Sequence, residues 1–118
     1  MYFYSKFNNN FLVCYLPPQI LQQIKSAVRA TDPGATHILF GSYARGDNHK
    51  DSDIYLLVLL NNEKITNDYH ERIGYPLYEI QLQENILISP VIYSKNTWDT
   101  RLKMSPFYKN VTKEGIFL

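Results

Sequence analysis

Residues 38–60, ILFGSYARGDNHKDSDIYLLVLL, constrain the fold of this chain more than any other stretch. Three apolar residues lead into Gly41, a polar segment begins at Ser42, and Ile54–Leu60 is rich in leucine and valine. This pattern predicts a strand, a Gly-Ser turn, a short polar helix capped by Ser42, and a second, buried strand. Glycine lets the backbone approach an anion closely, and the amides and dipole of a helix end favour negative charge. The turn therefore predicts a phosphate-binding site.

The spacing between the Gly-Ser pair and the next strand resembles a known family signature. In GSYARGDNHKDSDIY, ten residues separate Ser42 from Asp53. The DNA polymerase β-type nucleotidyltransferases carry Gly-Ser, ten residues and then Asp-x-Asp, and the chain is similar in particular to their minimal, single-domain bacterial members. The resemblance implies the fold of that family, with Gly41 and Ser42 holding a nucleoside triphosphate such as ATP. It also implies that Asp53 binds magnesium as part of the catalytic site.

One position departs from this signature, because Tyr55 stands where the second carboxylate belongs. Residues two apart on a strand point to one face, so positions 53 and 55 should both face the triphosphate. Magnesium requires hard oxygen ligands in tight octahedral geometry, for which a neutral phenol is a poor substitute. In the family a third carboxylate projects from the following strand, and Ser89 aligns with that place. The sequence thus predicts a weakened magnesium site that lacks up to two ligands.

The polar segment after the turn contains further candidates. Arg45 is predicted to lie on the first helical turn, where it could bind a phosphate, and an exposed arginine without a ligand is the alternative. His49 has no partner at metal-ligand spacing and is expected to be solvated. Four acidic residues that might replace the missing ligands are each expected to be exposed instead: Asp47, Asp51, Glu79 and Glu84.

The resemblance also bears on activity and partners. Similar minimal members act as antitoxins that adenylylate a tyrosine of a HEPN-domain ribonuclease, which implies AMP transfer from ATP to a protein hydroxyl and a HEPN-type partner. Loss of one metal ligand should cost several kcal/mol of transition-state stabilisation, or roughly a thousandfold in rate. Two hypotheses follow. The protein is either a transferase with impaired catalysis or an inactive nucleotidyltransferase-fold module that neutralises its partner by forming a complex.

Length and composition limit the number of domains and the kinds of partner that the chain could have. A chain of 118 residues predicts an N-terminal arm, residues 1–17, and one small domain, residues 18–118, without the extra domains of the larger relatives. A net charge of +1 gives no broad field for nucleic acid, although a local patch stays open. The single cysteine, Cys14, forms no internal disulfide and is expected to be a small buried residue. No stretch is predicted to span a membrane, so a soluble, cytoplasmic protein is expected.

The rest of the chain predicts the other elements of an α/β domain. Spacing and turn residues indicate helices over residues 18–30 and 65–84, strands over 35–40 and 86–93, a short helix around Trp98, and a helix from Ser105 to Gly115. Pro76 should kink or split the long helix, and a strand-turn-strand over 77–94 is the alternative. Pro90 favours an edge strand or a bulge, and the apolar tail 116–118 should pack on the core or on a partner. The expected fold is a small mixed sheet of three or four strands with helices packed on one side.

Overall fold

The computed structural model describes residues 2–4, 13–49 and 51–118, with only the backbone of residues 2–4 and 13–15. The elements follow in the order β1 (Tyr2–Tyr4), β2 (Val13–Tyr15), α1 (Pro18–Thr31), β3 (Thr36–Phe40), α2 (Ser42–Arg45), β4 (Ile54–Leu60), α3 (Asn67–Glu84), β5 (Ile88–Ser94), α4 (Lys95–Thr100), α5 (Pro106–Glu114) and β6 (Ile116–Phe117). The predicted helices and strands of the domain are all present, with ends that differ by a few residues at most.

A four-stranded mixed sheet, ordered β5-β4-β3-β6, forms the centre of the domain. Strand β3 pairs antiparallel with β4 and β6, whereas β4 pairs parallel with β5. Pro90 lies on β5, which is an edge strand, as its missing amide hydrogen predicted. The apolar tail packs on the core by adding β6 to the opposite edge, where Ile116 is buried. The predicted small mixed α/β sheet is confirmed.

Helices cover both faces of this sheet. The long helices α1 and α3 pack against one face, as predicted, over a core that includes Leu56, Val58 and Leu60 of β4. The alternate residues Leu57 and Leu59 point to the opposite face, where they pack with side chains of α4 and α5. The prediction of helices on one side omitted this second layer. It is required because β4 is apolar on both faces, and its second face would otherwise lie in water.

Helix α3 runs without interruption through Pro76, so the helix and not the alternative strand-turn-strand is confirmed. Proline cannot donate a backbone hydrogen bond to the carbonyl four residues earlier, here that of Arg72. The Thr31 hydroxyl, at the end of α1, lies 3.5 Å from this carbonyl oxygen and donates to it. A side chain from the neighbouring helix thus supplies a weak replacement for the missing bond, and the helix continues instead of splitting.

The N-terminal part contributes a separate two-stranded antiparallel sheet made by β1 and β2. Most of the predicted arm, including the side chain of Cys14, lies outside the described residues. Leu16, within the predicted arm, is fully buried in the main core, so packing of the domain begins before α1. Within residues 16–49 and 51–118, no helix has the length and apolar character needed to cross a membrane.

Candidate active site

The predicted site residues meet at one end of the main sheet. Phe40, the last residue of β3, pairs with Tyr55 on β4, and Tyr55 pairs with Ser89 on β5. Asp53 precedes Tyr55 by two residues and lies immediately before β4, which begins at Ile54. The Gly-Ser turn follows Phe40 directly, so the turn and positions 53, 55 and 89 lie at the same end of the sheet.

Gly41 shapes the turn between β3 and α2. Its φ of 80° and ψ of −155° lie in a region that residues with a side chain rarely enter. The carbonyl oxygen of Gly41 accepts hydrogen bonds from the amides of Ala44 and Arg45, each at 3.0 Å. Gly41 therefore occupies the cap position, and Ser42 is the first helical residue. The predicted cap was wrong by one residue, because glycine can adopt the conformation that this sharp strand-to-helix turn requires.

Tyr55 packs directly against the turn. A Cβ atom placed on Gly41 would lie 2.9 Å from Cδ2 of the Tyr55 ring, and the ring centroids of Phe40 and Tyr55 are 5.5 Å apart. Tyr55 is nonetheless 39% exposed, so part of the ring is accessible to solvent. The side chain at the second ligand position is thus an aromatic ring resting on the Gly-Ser turn. A carboxylate at this place would leave that space open.

Asp53 lies on the wall of a small cavity. Asp51, Ser52 and Asp53 line one side, and residues 85–87, which connect α3 to β5, line the other, around a volume of about 370 Å³. The amide of Ile54 donates to the Leu87 carbonyl at 2.8 Å, which ties the two walls together. Asp53 is half-buried, whereas Asp51 is exposed. The cavity is open to a small ligand, with one partly sheltered carboxylate at its side.

Arg45 is exposed and already engaged by carboxylates. Its guanidinium lies 3.2 Å from Asp47 and 3.5 Å from Glu114. The hydrogen bond to Asp47 raises the pKa of Arg45, and the charge of Glu114 adds to this effect. Asp47 and His49 are exposed, as predicted. A phosphate would have to displace these carboxylates, so the role of Arg45 in phosphate binding stays a prediction.

The donor atoms at this end of the sheet do not fit the two-magnesium centre that the resemblance implies. Asp53 supplies a carboxylate, whereas Tyr55 and Ser89 supply only a phenol and an alcohol. Among residues 16–49 and 51–118, no group of three or more His, Cys, Asp or Glu side chains is arranged to hold a metal ion. Glu79 is exposed and Glu84 is half-buried, and neither completes such a group. The weakened magnesium site stays a prediction.

Sequence reasoning missed the apolar support beneath the site. The short helix α2 was predicted to be polar, yet Tyr43 and Ala44 are buried in the main core. Phe40 forms an edge-to-face pair with Phe107 of α5, with centroids 5.3 Å apart. The position of Phe40, aligned with Ile38 on one face of β3, could have revealed its orientation. The pairing with α5 depends on tertiary packing and carries no local signal.

Comparisons with known proteins identify the family of this sequence. The sequence matches the family described as "Nucleotidyltransferase domain" over residues 21–117. Two relatives from Methanocaldococcus jannaschii are provisionally named protein adenylyltransferases. MJ0141 is 45% identical over 58 residues, which are 49% of this chain and 58% of that relative. MJ0604 is 32% identical over 78 residues, which are 66% of this chain and 71% of that relative.

The match to the family covers most of the chain, whereas this chain spans only 58% of the length of MJ0141. The matched region contains the Gly-Ser turn, the strand after Asp53 and the whole main sheet. A mixed sheet with helices is also the architecture of the DNA polymerase β-type nucleotidyltransferase fold, as the resemblance implied. This chain belongs to the nucleotidyltransferase domain family.

Proposed function

We propose that this protein acts on a protein partner, and that its transfer of AMP from ATP to a hydroxyl of that partner is strongly impaired. The observation that carries the proposal is Tyr55, which occupies the second ligand position and rests on Gly41. The partner implied by the resemblance is a HEPN-domain protein. The names of the two Methanocaldococcus relatives support adenylyl transfer to protein as the reaction.

The chain retains some of the parts for this reaction. Transfer would join the α-phosphorus of ATP to the acceptor oxygen and release pyrophosphate. The Gly41 turn and the first amides of α2 provide the place for phosphate, and the cavity beside Asp53 provides room for the acceptor. A carboxylate pair would hold a divalent cation, which neutralises charge in this transfer. With only Asp53 in place, the loss is expected to be roughly a thousandfold in rate.

A second candidate is a binding module without catalysis, which neutralises its partner by forming a complex. The packing of Tyr55 against Phe40 and Gly41 favours it, because the ring stands at the position from which the second carboxylate would hold a metal ion. In this case Asp53 would have no chemical role. The two candidates therefore differ in what a substitution of Asp53 does to the partner.

The test uses the whole protein with ATP labelled on the α-phosphate, magnesium and a HEPN-domain protein encoded beside it. We expect slow labelling of the partner, and we expect the Asp53→Asn variant to abolish this labelling. Formation of a stable complex without label, unchanged by Asp53→Asn, would establish the binding module instead. Labelling at an ordinary enzymatic rate, on the order of 1 s⁻¹ or faster, would refute impaired catalysis.

A further inference from the structure

Helix α3 exposes an apolar stripe on the side that faces away from the core. Tyr75, Tyr78 and Leu82 are 67%, 50% and 65% exposed. Their spacing of three and four residues puts them on one face, one above the other. The core-facing residues of the same helix are Ile73, Leu77 and Ile80, all buried. The outward face of a helix at the surface of a domain is normally polar, so this stripe is a candidate interaction surface.

The stripe lies on an acidic helix within a slightly basic chain. Residues 67–84 contain four acids (Asp68, Glu71, Glu79 and Glu84) and one base (Arg72), so α3 carries a net charge of −3 with histidine neutral. The whole chain carries +1, which leaves +4 outside this helix. The single base, Arg72, is paired with Asp68 at 2.9 Å. The field around the stripe is therefore negative.

We propose that this stripe, Tyr75, Tyr78 and Leu82, docks an amphipathic helix of a partner protein whose apolar face is flanked by lysine or arginine. A helix in this position would bury the two rings and the leucine and would pair its cations with Glu71 and Glu79. Both glutamates are exposed. The same acids repel anionic lipid and nucleic acid. They also oppose a second copy of α3, since two helices of charge −3 would then face each other.

The position of the stripe connects it to the cavity beside Asp53. From Tyr75 to Leu82 the helix rises by about 10 Å, and α3 ends about half a turn later. The next residues, 85–87, form one wall of the cavity, and Leu87 is 54% exposed there. A partner helix laid along α3 therefore leads its following segment toward Asp53. This last step rests on the proposed function, because it makes the docked partner the acceptor protein.

The test uses the full chain and a fluorescein-labelled synthetic helical peptide as the probe. The peptide carries leucines at positions i, i+3, i+4 and i+7 with lysines on both sides, and the control peptide has glutamate in place of every lysine. Fluorescence anisotropy is expected to show at least about tenfold tighter binding of the lysine peptide. Chemical-shift changes of backbone amides should concentrate on residues 71–87.

Variants locate the surface. The triple variant Tyr75→Ser, Tyr78→Ser, Leu82→Ser is expected to weaken binding by at least about tenfold. Met104→Ser, which removes a side chain that is 80% exposed elsewhere, should leave binding unchanged. Reversing the two charges, Glu71→Lys with Glu79→Lys, should move the preference toward the glutamate peptide. Circular dichroism identifies any variant that fails to fold, in which case the chemical-shift map and the charge reversal decide.

Any of three results of the peptide measurements would overturn the docking surface. They are equal affinity for the two peptides, chemical-shift changes confined to other elements, and no binding up to about 1 mM. Self-association of the natural protein that the triple variant abolishes would assign the stripe to a second copy and would also overturn the proposal. No nucleotide is present in these measurements. A negative result in the peptide measurements therefore does not argue against the proposed AMP transfer. In the same way, a negative labelling result does not argue against the docking surface.

Discussion

Replacement of Gly41 by alanine is expected to lower the free energy of unfolding by about 2–4 kcal/mol. The turn holds Gly41 at φ 80° and ψ −155°, where a residue with a Cβ atom costs about 1–3 kcal/mol. The new Cβ would also lie 2.9 Å from Cδ2 of Tyr55. The ring is partly exposed and can move, so this contact should add about 1 kcal/mol. The two contributions have different origins and can be separated.

Urea denaturation followed by circular dichroism measures both contributions in a double-mutant cycle with Tyr55→Ala. The cycle is expected to give a coupling of about 1 kcal/mol between positions 41 and 55, because removing the ring removes the contact but not the strain. Gly74→Ala is a matched control. Nothing lies within 4 Å of a Cβ atom at position 74, inside α3, so this change should stabilise by about 0.5–1 kcal/mol. A cost of Gly41→Ala below about 1 kcal/mol, or no coupling to Tyr55, would refute the geometry of the turn.

Three further outcomes follow from the structure. Burial lowers the pKa of His37 from 6.5 to about 4, so between these pH values only the unfolded state gains a proton. The free energy of unfolding should therefore fall by up to about 3 kcal/mol as the pH drops from 6.5 to 4. In urea titrations, His37→Phe should remove that part of the pH dependence. Ser105→Ala removes the hydroxyl that accepts from the Tyr108 amide at 3.1 Å and should lower the melting temperature, at a cost of about 1 kcal/mol; an unchanged melting temperature would contradict the cap. Arg45→Gln should change the free energy of unfolding by less than about 1 kcal/mol, because its ion pairs are exposed, and a larger loss would show that they are stronger than surface pairs.

The sequence predicted those parts of the fold whose signals are local. Ile54–Leu60 is apolar throughout and became the central strand with the predicted bounds. Ser105 and Pro106 marked the start of α5, and Pro90 marked an edge strand, each because of a specific backbone hydrogen bond that is made or missing. The layer of α4 and α5 over the second face was not predicted. It depends on which apolar residues remain uncovered after the first layer has packed, and that is a property of the whole domain.

In the candidate site, too, some features have a local signal in the sequence and others do not. The motif spacing predicted that the Gly-Ser turn and positions 53 and 55 lie at one end of the sheet, and the pairing of Tyr55 with Ser89 agrees with the rough strand alignment. Three features had no such signal. They are the shift of the cap from Ser42 to Gly41, the contact of the Tyr55 ring with the turn, and the exposed stripe on α3. Each depends on distances between elements or on which helix face is left uncovered.

The central claim is that Tyr55 impairs metal-dependent binding of the nucleotide at the Gly41 turn. Isothermal titration of ATP into the natural protein and into the Tyr55→Asp variant, each with and without magnesium, tests it most directly. Restoring the carboxylate is expected to tighten binding of ATP by at least about tenfold in magnesium and to leave binding without magnesium unchanged. Equal affinity of the two proteins for ATP in magnesium would contradict the claim.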